Sequence, residues 1–121
     1  MATRNDISVF PGNDPALTFT CQTTTAGVST PVNLTGTTVK CYLKVDALTS
    51  DTDASTVVYS SAGASPAITI PTPTNGQAIV QFSHVALEAI GVGRAWYRLD
   101  VVDASGNTLT YSFGSMEILA G

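Results

Sequence analysis

The sequence predicts an all-β fold: an antiparallel β-sandwich of seven to nine short strands with at most one short helix. Apolar residues alternate with polar ones in at least five separate segments, the period of a strand with one wet face. Threonine and serine, 18 and 11 of the 121 residues, stand where most domains carry lysine and glutamate, and charged residues make up only 12%. Threonine is β-branched and polar, which suits the solvent side of a sheet. Clusters of Gly, Pro, Asn and Asp punctuate the segments at short intervals.

Taken in order, "DISVF" offers Ile7 and Val9 to a core. Gly12-Asn13-Asp14-Pro15 reads as a turn. "ALTFTCQ" then turns Leu17, Phe19 and Cys21 one way and Thr18, Thr20 and Gln22 the other. In "PVNLTGTTVK", Leu34 is an apolar plug between Asn33 and Thr35, and Gly36 permits a bend before the next strand. That strand, "TTVKCYLKV", alternates Val39, Cys41, Leu43 and Val45 with Thr38, Lys40, Tyr42 and Lys44. "STVVY" and "AITI", with Ile68 and Ile70, are short, and Pro66, Pro71 and Pro73 forbid long central strands there. "QAIVQF" presents Ala78, Val80 and Phe82. "SHVALEAIG", residues 83–91, is the one helix candidate, with Ser83 as cap and Gly91 as stop. "RAWYRLDVV" aligns Ala95, Tyr97, Leu99 and Val101; the turn "DASGN" leads into "TLTYSF", expected to align Leu109, Tyr111 and Phe113, and "SMEIL" follows.

The length fits one domain, assigned to residues 6–121. The first five residues are polar, carry no core pattern and are expected to be a flexible arm that orders on docking. A net charge of −4, with only Arg4, Lys40, Lys44, Arg94 and Arg98 as basic residues, argues against binding nucleic acid or an anionic membrane surface. "MATRNDISVF" has no signal-peptide pattern, and no apolar run reaches the length of a membrane span, so synthesis and folding in a cytoplasm are expected.

Chemistry-bearing residues are sparse. His84, the single histidine, adjoins Ser83, but a nucleophile and its base must converge in space; His84 reads as a surface residue beside a helix cap. Glu88 and Glu117 are the only glutamates, and the aspartates fall mostly in turns, so no acid–base pair is evident. Asp46, Asp51 and Asp53 cluster in one loop, yet their spacing fits no calcium loop; a solvated connection is the plainer reading. No enzyme activity, metal or cofactor is therefore expected. Cys21 and Cys41 lie on apolar faces: buried thiols are the default for a protein made in cytoplasm, and a disulfide formed late in an oxidising medium is the alternative.

The run "DISVFPGNDPALTFTC", a turn containing Gly27, and "PVNLTGTTVKCYLK" together resemble the N-terminal domain of tailed-phage baseplate upper proteins. The matching features are Gly12-Asn13, the segment from Pro31 to Val39, and Tyr97-Arg98-Leu99-Asp100-Val101 with Gly106, which together cover most of the chain. The resemblance implies an immunoglobulin-like sandwich and a non-enzymatic structural role in a phage particle. Partners would be other virion proteins and further copies, as a homo-oligomer or lattice, and the location would be the virion. In that family the sandwich is an anchoring module followed by a linker and distal domains, whereas this sequence ends at Gly121, just after its last expected strand. A unit docking in many copies is expected, as capsid decoration ahead of a tail or baseplate accessory. A sugar-binding sandwich is the alternative, with Trp96, Tyr42, Tyr59 and Tyr111 as stacking rings.

Candidate interface residues come from the arm, Arg4 and Asn5, and from "RAWYRLDVV". If Tyr97, Leu99 and Val101 face inward, alternation sends Trp96, Arg98 and Asp100 outward, and an exposed Trp beside an Arg is a pairing enriched at interfaces. The competing reading is a bulge that turns Trp96 inward, or a loop that covers it.

Overall fold

The computed structural model describes residues 3–10, 16–46, 50–53, 55–63, 66–91 and 93–119; the expected turn at residues 12–15 lies outside them. In chain order the strands are β1 (Thr3–Arg4), β2 (Ile7–Val9), β3 (Ala16–Thr20), β4 (Gln22–Thr25), β5 (Val28–Pro31), β6 (Thr38–Lys44), β7 (Val57–Ser60), β8 (Ile68–Thr69) and β9 (Gln77–Gln81). A short helix, α1 (His84–Ile90), then leads to β10 (Gly93–Val102) and β11 (Thr108–Ile118). One sheet has six strands in the order β1-β11-β10-β6-β7, with β2 also on β11; a second has the order β3-β9-β8; β4 and β5 form a separate two-stranded ribbon.

The fold is all-β and sandwich-like. Of the nine segments read as strands, "TLTYSF" and "SMEIL" fuse into β11, while β1, β4 and β5 are additions, giving eleven strands among the described residues. Pairing is antiparallel except at one edge, where β1 and β2 run parallel to β11. The helix forms where expected: the Ser83 hydroxyl accepts from the Ala86 amide at 3.3 Å, and Gly91 closes the last turn onto the Leu87 carbonyl.

Alternation places Val39, Cys41 and Leu43 of β6 and Ala95, Tyr97, Leu99 and Val101 of β10 in the interior, opposite Phe19, Ala78, Val80 and Ile68 of the smaller sheet. Two aromatic pairs bridge the core: Phe19 with Tyr97 at 5.5 Å and Tyr59 edge-on to Phe82 at 5.1 Å. Leu34 plugs the interior at 1% exposure, its amide bonded to the Pro73 carbonyl and its own carbonyl accepting from the Thr37 hydroxyl. Asn33 caps the turn by accepting from the Thr35 amide at 3.0 Å.

Two expectations fail for identifiable reasons. In β11 the register slips, because Leu99 faces Ser112 while Asp100 faces Thr110, leaving Tyr111 as an extra residue. The bulge breaks the expected alignment of Leu109, Tyr111 and Phe113. Phe113 turns to the outer face opposite Arg98, Leu109 is 62% exposed near the hairpin tip, and Met116 and Ile118 take the core positions. The arm is the second correction. Thr3 and Arg4 pair with Ser112 and Phe113, the Asn5 amide donates to the Phe113 carbonyl at 2.8 Å, and the Tyr97 hydroxyl donates to the Asn5 carbonyl. Residues 3–5 are thus part of the sheet, held by backbone groups that a composition-based reading does not weigh. Gly114 makes this crossing possible: at φ +157° it lies so close to the entering chain that a Cβ would meet the Asn5 carbonyl at 2.6 Å.

Candidate interface

The outer face of the six-stranded sheet carries most of the residues singled out in the sequence. Strand β10 places Trp96 between Lys44 and Ser115, Arg98 between Tyr42 and Phe113, and Asp100 between Lys40 and Thr110. Trp96 is half-buried on this face, as strict alternation requires; no bulge turns it inward. The Arg4 guanidinium stands 6.0 Å from its ring centroid, and Arg4 also donates to Asp6 at 3.3 Å. Trp96 and Arg4 therefore form one group, whereas exposed Asn5 acts through its carbonyl.

Arg98 and Asp100 form a different group. The Arg98 guanidinium donates to Asp100 at 3.0 Å, takes both oxygens of Asp51 at 3.2 and 2.7 Å, and lies 4.6 Å over the Tyr42 ring. Lys44 adds a contact to Asp51 at 2.5 Å, and the Thr110 hydroxyl donates to Asp100 at 2.7 Å. Asp100 points to the outer face as expected, but it is 4% exposed, so it does not present a charge to a partner. Its carboxylate is shared by Arg98 and Thr110. The Arg98 contact, then Lys44, holds the Asp51 carboxyl down at about 2, and the same contact pushes the Arg98 guanidinium pKa upward. This network spends its charges internally and clips the residue 50–53 loop onto the sheet.

Of the loop aspartates considered for a metal, Asp51 is taken by Arg98 and Lys44, and Asp53 accepts from the Ser55 amide and hydroxyl. Among the described residues no three His, Cys, Asp or Glu side chains cluster as metal ligands do. His84 is exposed at the start of α1. Cys21 and Cys41 are buried free thiols, pushed up to about 11 and about 12 by burial, with the Asp100 charge adding to the second. Among the described residues no helix is long and apolar enough to cross a membrane.

A second surface was not marked in the sequence. A groove of about 710 Å³ opens between the two sheets, walled by β3 from Thr18 to Thr20, the ribbon from Gln22 to Thr24, Arg4 and Asn5, and Tyr111 and Ser112. Among the described residues β3 pairs only with β9, which leaves its other edge without a partner strand there, and Thr18, Phe19 and Thr20 line this groove. The ribbon rises directly from β3, and every residue from Gln22 to Pro31 is exposed. Its root is fixed at Cys21, whose amide donates to the Gly76 carbonyl at 2.7 Å and whose carbonyl accepts from Val32 at 2.9 Å. Gly76, at φ +74°, fits there because a Cβ would run into the Cys21 carbonyl. The signal available in the sequence was the absence of any charged residue from Pro15 to Val39.

The four rings proposed for sugar stacking do not form one platform, although Trp96 and Tyr42 share the outer face at diagonal positions. Tyr59 is buried, Tyr42 lies under Arg98, Trp96 sits beside Arg4, and Tyr111 alone reaches the groove. Compared with known proteins, the chain matches no protein-family model and no curated sequence.

Proposed function

We propose that this chain is a non-enzymatic structural protein of a tailed-phage particle that docks in many copies, on the capsid surface in preference to the tail or baseplate. The observation that carries the reading is the ribbon of β4 and β5, uncharged and exposed along its whole length, on an otherwise well-packed sandwich. A two-stranded ribbon is marginal in water by itself, so cover from a neighbour would stabilise a segment of this kind. Short hydroxyl-bearing side chains lose little rotamer entropy when they are covered, unlike Lys, Glu or Arg. The resemblance of Pro31 to Val39 to phage baseplate upper proteins points the same way, to a neighbour within a virion. The charged groups of the outer face pair with one another, and that leaves them poorly placed to act on a substrate.

The test is quantitative mass spectrometry of purified particles, with recombinant protein added back to particles that lack it. Copy numbers on the order of hundreds mark a capsid lattice, and a few to dozens mark the tail, in line with the symmetry of each. Failure of the added protein to associate with any particle overturns the proposal.

A further inference from the structure

We infer that two copies of this chain pair along β3, antiparallel about a two-fold axis at Thr18, joining their three-stranded sheets into one. The inference deepens the assembly reading above, and rests on it for the idea that the chain works in multiple copies.

Open strand edges are normally guarded by a charge, a proline or a bulge. The strand β3, Ala16–Thr20, has none of these, and its five pairs with β9 run in unbroken register. The edge of β3 that has no partner strand among the described residues is left to water in the single chain, and extended backbone from a second copy can replace that water with a ladder. The groove of about 710 Å³ is lined by Thr18, Phe19 and Thr20 of this strand.

The sequence of β3 is complementary to itself. Centred on Thr18, an antiparallel pair sets Leu17 opposite the partner copy's Phe19 on the core side. On the outer side it sets Thr18 opposite Thr18 and Ala16 opposite Thr20, all three exposed in the single chain. Electrostatics permits pairing along this edge. Copies with a net charge of −4 repel, but β3 lies in the uncharged stretch from Pro15 to Val39, and the charged side chain in the groove wall, Arg4, already pairs with Asp6. The ribbon starts two residues after β3, and its base lines the same groove, so this contact also gives the ribbon a surface to lie against.

The experiment is sedimentation of the purified full chain over a concentration series, with Thr18→Lys and Thr18→Cys alongside. Dimerisation is expected for the wild type. Thr18→Lys brings two ammonium groups together at the axis and should raise the dissociation constant about tenfold or more, with an unchanged circular-dichroism spectrum. Thr18→Cys should form an intermolecular disulfide on mild oxidation, because Cα atoms of directly paired residues lie about 4.5–5.5 Å apart, within disulfide reach. Ala16→Cys, which faces Thr20 of the other copy, should not link to itself. The inference is overturned if Thr18→Cys stays monomeric on oxidation, or if a dimer forms that Thr18→Lys leaves intact. A dimer that binds no particle would refute the proposed function alone; a strict monomer that binds particles would refute only this pairing.

Discussion

The two exposed sides of this sandwich solve opposite problems. On the outer face of the six-stranded sheet, Arg98, Asp51, Asp100 and Lys44 occupy one another, and β10 is laddered on both sides, to β6 and, apart from the bulge at Tyr111, to β11. Along β3 and the ribbon there is no charge, and one edge of β3 has no partner strand among the described residues. A residue list weighted toward Trp and Arg selects the first surface, because such side chains are enriched at interfaces. The structure teaches that a side chain already committed inside its own chain has little left to offer a partner. An unguarded edge, built from residues that attract no notice, keeps its capacity to bind.

The sharpest way to break the contrast is to remove the centre of the charged side. Arg98→Ala leaves Asp100 buried with the Thr110 hydroxyl as its remaining side-chain partner among the described residues, and breaking a buried pair from one side costs about 3–5 kcal/mol. Urea unfolding should show that loss, and particle binding at a temperature where the variant stays folded should be unaffected. A change below about 1 kcal/mol, the scale of an ordinary surface pair, would mean that this network is not holding the face together.

Trp96→Ala comes next. The ring is half-buried on the outer face with Arg4 beside it, so its truncation should cost roughly 2 kcal/mol, below the 3–5 typical of a core aromatic. Thermal unfolding and particle binding on the same variant separate the two surfaces: lost stability with retained binding fits the contrast, and lost binding with full stability would return Trp96 to the interface.

Asp51 tests the loop clip through pH. Its folded-state pKa lies at about 2, below the ordinary carboxylate value, because Arg98 and Lys44 favour the charged form. The stability it contributes is therefore complete above about pH 4 and is lost as pH falls through about 2. Asp51→Asn should remove about 1 kcal/mol or less at neutral pH, since the carboxylate is partly exposed. It should also flatten the acid limb of the stability curve. An acid limb identical to wild type would show that the ion pair contributes nothing.

How much of this was legible beforehand follows from what each feature depends on. Strand existence and most of the core, such as Val39, Cys41, Leu43, Tyr97 and Leu99, followed from period two, because side-chain direction is a local property. The capped helix at Ser83 was legible for the same reason. The fate of Phe113 was not, because one extra residue at Tyr111 reverses every side chain beyond it, and a bulge depends on the partner strand. β1 is two residues long and pairs with a segment more than a hundred positions away, so nothing local announces it. Within the candidate interface, alternation placed Trp96, Arg98 and Asp100 on the correct face. It could not show that the distant Asp51 would fold over and occupy Arg98. The ribbon reads in the sequence only as a turn containing Gly27, because its threonines form no apolar stripe, and that lack is also why it stands clear of its own core.

The smallest effect on the fold, and the most telling for the comparison, should come from the ribbon. Val28 is 64% exposed beside the turn at Ala26-Gly27 and pairs only with Thr25. Val28→Lys removes no buried contact, and surface changes of that kind stay within about ±0.5 kcal/mol. A lysine there nevertheless puts a long, strongly hydrated charge into a surface that has none from Pro15 to Val39. If the ribbon is covered by neighbours in a particle, that charge must be desolvated at every copy, and occupancy should fall while the melting temperature stays put. Val28→Thr keeps the β-branched shape without the charge and should bind as wild type does. Equal occupancy of the lysine and threonine variants would show that the ribbon remains in solvent after docking, and the uncharged side would lose its claim to be the working surface.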